Sequence, residues 1–304
     1  MHVVFVGTGG SWPSPERNVT SVAVRIGPEV ILLDCGEGTQ RQLMSSSVSF
    51  MKISRIFVSH FHGDHFLGLP GLIQSMALND RKEPLEIYGP AGIVELMKSL
   101  LGLGYFKPTF EVCVEELEPG ERVEFERYSV TCALADHSVP CYAYGIEESP
   151  RPGKFNKARA LELGVPEGPS FSRLQSGESV TLPDGKVVEP SMVLGAPRKG
   201  RKLVFSGDTK PCDSVSALAS GCDLLIHDAT AAADNEDKAN TYGHASARQA
   251  AALAMNAGVR MLALVHISPR YEDAAPLLEE AKAIHPNCIL PKDLDEVEVP
   301  LSQD

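Results

Sequence analysis

Between Ser59 and Leu72 the chain reads SHFHGDHFLGLPGL, which puts His60, His62, Asp64 and His65 within six positions. Imidazole nitrogens and carboxylate oxygens are the donors that zinc and similar cations take. His60 and His62 lie two apart and can aim one way. Asp64 and His65 are adjacent and point differently, so one turn can serve two metals. The whole sequence of 304 residues contains nine histidines, which makes three within six positions hard to ascribe to chance.

A turn cannot enclose a metal alone. The remaining donors must come from other places where the chain stops running through the core. His137 ends SVTCALADH, Asp208 ends KLVFSGD and His266 ends MLALVH. Each follows an apolar run that predicts a strand, and strand ends hold ligands rigidly while leaving room for a substrate. His2 at the chain start and His285, on the last helix before Pro286, lack such a context and are expected to be surface or packing residues. His227, inside HDAT, is open to either reading.

The elements that would position these residues follow from short apolar runs separated by turn signals. HVVFVGTG, SVAVRIG, EVILLDCG and SRIFVSH predict early strands. LEIYGP, FEVCVEEL, RVEFERYSVTCALAD and YAYGIE follow, and KLVFSGDT, CDLLIHDA and MLALVHIS predict three later ones. Helical spacing appears in EGTQRQLMSS, in 66–78 with a late start imposed by Pro70, in 93–101, in 245–257 and near 276–284. Strands first, then alternation with helices, predicts an α/β protein with mixed sheets.

Composition sets limits on partners and compartment. The formal net charge is -12, with 43% hydrophobic and 22% charged residues, which excludes wholesale disorder. There is no run of eighteen apolar residues and no secretory pattern at the start, so neither a membrane span nor export is expected. Seven scattered cysteines without a CxxC pair predict reduced thiols in a cytoplasmic protein. One stretch, 147–202, is rich in Pro and Gly and nearly without periodicity. Between Ser149 and Lys202 ten basic side chains face five acidic ones, a surplus of five positive charges against the trend of the chain. Composition alone leaves open both a solvated linker and a binding surface for an anionic partner.

HFHGDH followed by a distant His, a Gly-Asp and a last His resembles the metallo-β-lactamase superfamily. GTGGSWPSPERN, DCGEGTQRQL, GLPGL, DHSVP, FSGDTKPC, HDAT, GHASARQAA and LVHISPRY narrow the resemblance to the ribonuclease Z family, over residues 2 to 272. The resemblance implies a four-layer αββα metallo-β-lactamase sandwich, a single domain over 1–304, with 147–202 inserted as a flexible protruding arm that binds tRNA. It implies two Zn2+ per subunit, with His60, His62 and His137 on one, Asp64, His65 and His266 on the other, and Asp208 bridging. It also implies a precursor tRNA substrate, a homodimer, Asp64 as the base and His244 with Asp228 as the acid that serves the leaving 3′ oxygen. Three departures stand out: GHASA replaces the commoner HST wording, Asp228 stands where relatives often carry Glu, so that a shorter carboxylate needs a closer approach, and Pro15 stands where many relatives carry a basic residue. A small-ester hydrolase or phosphodiesterase of the same superfamily would need the metals but not the arm, and a non-catalytic RNA-binding protein would not need the full donor set.

Overall fold

The computed structural model describes residues 1–301. In chain order its strands are β1 (His2–Gly7), β2 (Ser21–Ile26), β3 (Glu29–Leu33), β4 (Ile53–Phe57), β5 (Leu85–Gly89), β6 (Val112–Glu116), β7 (Arg122–Glu124), β8 (Tyr128–Ala135) and β9 (Cys141–Glu148). They continue with β10 (Val180–Thr181), β11 (Val187–Val188), β12 (Lys202–Phe205), β13 (Leu224–Asp228), β14 (Leu262–Val265), β15 (Cys288–Ile289) and β16 (Glu296–Glu298). One sheet has the order β16-β1-β2-β3-β4-β5-β6 and the other β15-β14-β13-β12-β9-β8-β7.

The alternation along each strand explains the layers. In β1, Val3 and Phe5 point into a core that also takes Tyr144 and Ile146 of β9, Phe205 of β12 and Ile226 of β13, so the two sheets pack face to face. Val4 and Val6 point the other way and pack with Leu69, Leu72, Ile73 and Met76 of a helix over Leu69–Leu78. On the far side Val204, Leu225 and Leu264 meet the helices Ala247–Asn256 and Ala275–Lys282. Central strands buried on both faces read as continuous apolar runs, which is why they were plain in the sequence. Helix starts obey local chemistry. Pro70 sits in the first turn of Leu69–Leu78, where its missing N–H costs nothing. Ser246 and Gln249 form a capping box at the start of Ala247–Asn256.

Two expectations need correction. RVEFERYSVTCALAD is not one strand: the chain reverses between β7 and β8, which pair antiparallel with Val123 opposite Val130. The turn there is made by charged residues with no Gly or Pro to announce it. His285 lies beyond the last helix, which ends at Lys282, and is buried with Nε2 bonded to the Val259 carbonyl at 2.9 Å. His2 is also a packing residue, held by Glu298 at 2.8 Å and Glu296 at 3.0 Å. All seven cysteines are free thiols, most of them buried.

Residues 148–200 form a second compact unit between β9 and β12. It has its own small core of Ala160, Val165, Leu174, Val180, Leu182, Val188 and Val193. Helices Lys157–Glu162 and Pro169–Gln175 and the β10–β11 hairpin supply these residues. Asn156 caps the first helix by accepting the Arg159 N–H at 2.9 Å. Helices of six and seven residues carry too little periodicity to be read from the sequence. Three of the acidic side chains are taken up within the unit, in the pairs Lys157–Glu167, Arg159–Glu162 and Arg173–Glu178.

Candidate active site

The parallel strands β12, β13 and β14 end side by side, as do β3 and β4 in the other sheet. The turns after these ends carry the donors. From the β4 side, His60 Nε2 lies 3.0 Å from His62 Nδ1, and His137 Nε2, beyond β8, lies 3.3 Å from the same atom. Asp208, beyond β12, brings Oδ2 to 3.6 Å from His60 Nε2, 3.2 Å from His65 Nε2 and 3.2 Å from His266 Nε2. Asp64 Oδ2 lies 3.5 Å from His65 Nε2 and 3.3 Å from His266 Nε2. The seven residues therefore form two neighbouring clusters, and Asp208 reaches both.

Four of the five imidazoles are turned by a partner on the other nitrogen. His65 Nδ1 donates to Asp34 at 2.7 Å, and His137 Nδ1 donates to the Gly243 carbonyl at 2.8 Å. His60 Nδ1 meets Ser59 Oγ at 3.0 Å, and His266 Nδ1 meets Thr230 Oγ1 at 2.8 Å. With these atoms engaged, the inward nitrogens keep their lone pairs for a cation. His65 Nε2 is buried without a hydrogen bond, although three carboxylates surround its ring. Nitrogen lone pairs facing one another at 3.0–3.3 Å cannot satisfy each other. The donor set therefore fits a metal.

Backbone geometry is held at the same place. Asp34 and His266 are non-glycine residues with φ of 57° and 58°, in the left-handed region that such residues seldom adopt. A Cβ on Gly10 would run into the His266 ring, so only glycine fits there.

His244 stands beside the clusters. Its Nδ1 donates to Asp228 Oδ2 at 2.9 Å and lies 3.9 Å from Asp208. Asp228 is fixed in turn by the Thr209 N–H at 3.2 Å and by the Thr230 N–H and hydroxyl at 2.9 and 2.7 Å. The short aspartate side chain reaches because β13 carries it to the rim. The neighbouring His227 is fully buried, joins none of the donor clusters and bonds the Asp228 carbonyl at 2.7 Å, which favours the packing reading.

The ribonuclease Z of Methanosarcina acetivorans is 48% identical to this chain over 301 residues, 99% of this chain and 98% of that protein. This chain belongs to the ribonuclease Z family. The crystal structure of the short form of human tRNase Z superposes with a TM-score of 0.72 at 28% identity, over 99% of this chain and 100% of that one. A Bacillus subtilis metallo-β-lactamase fold protein does so with a TM-score of 0.71 at 20% identity, over 98% and 99%, a likeness of fold. A family model described as anti-Pycsar protein Apyc1 matches residues 1–148, and one described as beta-lactamase superfamily domain matches residues 174–267. The two packed sheets flanked by helices are the metallo-β-lactamase fold.

The electrostatics of this ribonuclease Z site call for positive charge. Burial opposes a charge on His65, yet Asp208 and Asp34 outweigh it and push the ring well above its ordinary value. Burial would raise Asp208, but His266 and His65 hold it well below the usual carboxylate range. Asp64 behaves alike: His266 and His65 beside it outweigh burial and hold it below the usual carboxylate range. A divalent cation supplies in place of a proton what these carboxylates demand. Burial keeps His60 and His137 below the ordinary value, in the neutral form that ligation requires. Burial also works against a charge on His244, but Asp228 prevails and raises it to about 9.

Sequence reading passed over several residues that this family member needs. Asp34 accepts the Ser59 N–H at 2.6 Å and the Ser59 hydroxyl at 2.7 Å besides His65, so one buried carboxylate orients the turn that bears the cluster. Its signal was DCGEGTQ, an acidic residue at a strand end. The Ser11 N–H donates to Asp64 Oδ2 at 2.7 Å. In the loop that carries Pro15, Arg17 is spent on structure: it donates to Thr8 Oγ1 at 2.5 Å and to the Pro291 carbonyl at 2.8 Å.

Proposed function

We infer that this protein is a zinc-dependent endoribonuclease that removes the 3′ trailer of precursor tRNA and leaves a 3′-hydroxyl on the tRNA. The observation that carries this reading is full-length relation to ribonuclease Z together with a complete two-cluster donor set beside a His–Asp pair. His60, His62 and His137 would hold one zinc ion, Asp64, His65 and His266 a second, and Asp208 would reach both. When bound, such a pair supplies a nucleophile at neutral pH and neutralises charge on the phosphoryl oxygens. Asp64, fixed by the Ser11 N–H, orients the attacking water and takes its proton. His244, kept charged by Asp228, gives a proton to the departing 3′ oxygen.

The 147–202 insertion would grip the RNA backbone. Its basic surplus is the sequence feature in favour, and the three internal ion pairs, which take up one base for each acid, leave that surplus unchanged. A duplex arm read by shape and phosphate suits a chain with few aromatics. The assembly proposed is a homodimer and the compartment the cytoplasm; sedimentation reads the first directly.

Labelled precursor tRNA incubated with wild type and with Asp64→Ala tests the activity. Cleavage next to the discriminator nucleotide is expected from wild type only, and equal cleavage by both proteins refutes the mechanism. Deletion of 150–198 is expected to abolish tRNA cleavage while sparing turnover of a chromogenic phosphodiester. A deletion protein that still cuts precursor tRNA at the wild-type rate removes the insertion from RNA binding.

A further inference from the structure

Next to His244 the surface opens into a cavity of about 450 Å3, within the range of sites that take one small ligand. Its wall includes Trp12, Tyr242 and Tyr271 together with Lys238 and Arg270. Trp12, the single tryptophan of the chain, is 55% exposed and Tyr242 61% exposed, although both are large rings that folding would ordinarily cover. Among the described residues the side chains of Lys238 and Arg270 have neither an ion pair nor a hydrogen bond. Exposed aromatic faces beside unpaired cations are the combination that single-stranded nucleic acid meets, base on ring and phosphate on charge.

We propose that this cavity seats the nucleobase of the residue whose ribose 3′ oxygen departs in the cut, stacked on Trp12 and Tyr242, with Lys238 and Arg270 meeting flanking phosphates. The proposal rests on the endonuclease reading above, because it uses His244 to decide which side of the scissile bond enters. His244 borders the cavity and serves the leaving oxygen, so the sugar bearing that oxygen must lie against it. The attached base then has the cavity before it. On the opposite side Ser11 joins the cavity wall to Asp64, which ties the seat to the reacting phosphate. Stacking is tolerant of base identity, since every base has a flat face. The seat therefore fixes the register of the cut without demanding a sequence.

Trp12 makes the test direct, because all tryptophan fluorescence of this protein comes from one ring at the cavity. The zinc-loaded protein would be titrated with mature tRNA ending at the discriminator nucleotide and with the same tRNA lacking only that base. Quenching is expected with the first and not with the second. In parallel, Trp12→Ala is expected to raise KM on precursor tRNA about 5- to 100-fold, the strength of one base–aromatic stack, with Trp12→Phe restoring most of it. Equal quenching by both tRNAs, or a Trp12→Ala protein with wild-type KM, overturns the seat. Base-dependent quenching by a wild type that cuts no precursor supports the seat and overturns the endonuclease reading instead.

Discussion

Replacing Asp34 by Asn tests whether the histidine cluster is set by its buried support. Asp34 is fully buried and ties the Ser59 N–H, the Ser59 hydroxyl and His65 Nδ1 to two oxygens at 2.6–2.7 Å. Asn keeps the volume and one carbonyl oxygen, which can still take the Ser59 N–H. Its amide nitrogen, however, brings two protons to the place where His65 Nδ1 also brings one. Two donors cannot face each other, so the imidazole must move its proton to Nε2, the atom that faces Asp64 and Asp208. A protonated Nε2 has no lone pair for a metal. Loss of one supporting partner of this kind lowers metal affinity about 10- to 100-fold, or about 1.4–2.7 kcal/mol. The assay is chelator competition for zinc on wild type and Asp34→Asn, with circular dichroism as the control for folding. Zinc affinity within twofold of wild type, in a protein of native spectrum, refutes the argument that Asp34 fixes the tautomer of His65.

Three further outcomes follow from the geometry. His244→Ala is expected to lose about 10²–10⁴-fold in turnover of precursor tRNA, while zinc content and RNA binding measured by filter retention stay near wild type. Since Asp228 lifts His244 to about 9 and the acid works in its protonated form, turnover should hold through neutral pH and fall as pH rises through about 9; in Asp228→Asn a single-turnover pH profile should show that fall at lower pH. Leu72→Ala empties a fully buried position between the first sheet and its helix and should cost about 2–5 kcal/mol in chemical denaturation.

Much of the site was legible because its donors lie where sequence patterns end. His60, His62, Asp64 and His65 are neighbours in the chain, and Asp208 and His266 close apolar runs that are buried strands. Their supporting groups were not legible, because a hydrogen bond across the fold leaves no local pattern: Asp34 acts on His65 from 31 positions away, and Gly243 on His137 from 106. The layered sheets followed from alternation and apolar runs. The β7–β8 reversal did not, since charged residues can turn a chain without signalling it. The fold within 148–200 also stayed hidden, because a core of seven side chains drawn from very short elements looks like loop.

The donors come from both sheets: His60, His62, Asp64 and His65 follow β4 of one, while His137, Asp208 and His266 follow β8, β12 and β14 of the other. A cation gripped there fastens the two halves of the sandwich at one rim, and it binds the assembled pair far better than either alone. Thermal resistance should then climb with free zinc according to its affinity for the native state. Loss of the cation would then loosen the rim, while the apolar core between the sheets still holds the sandwich together.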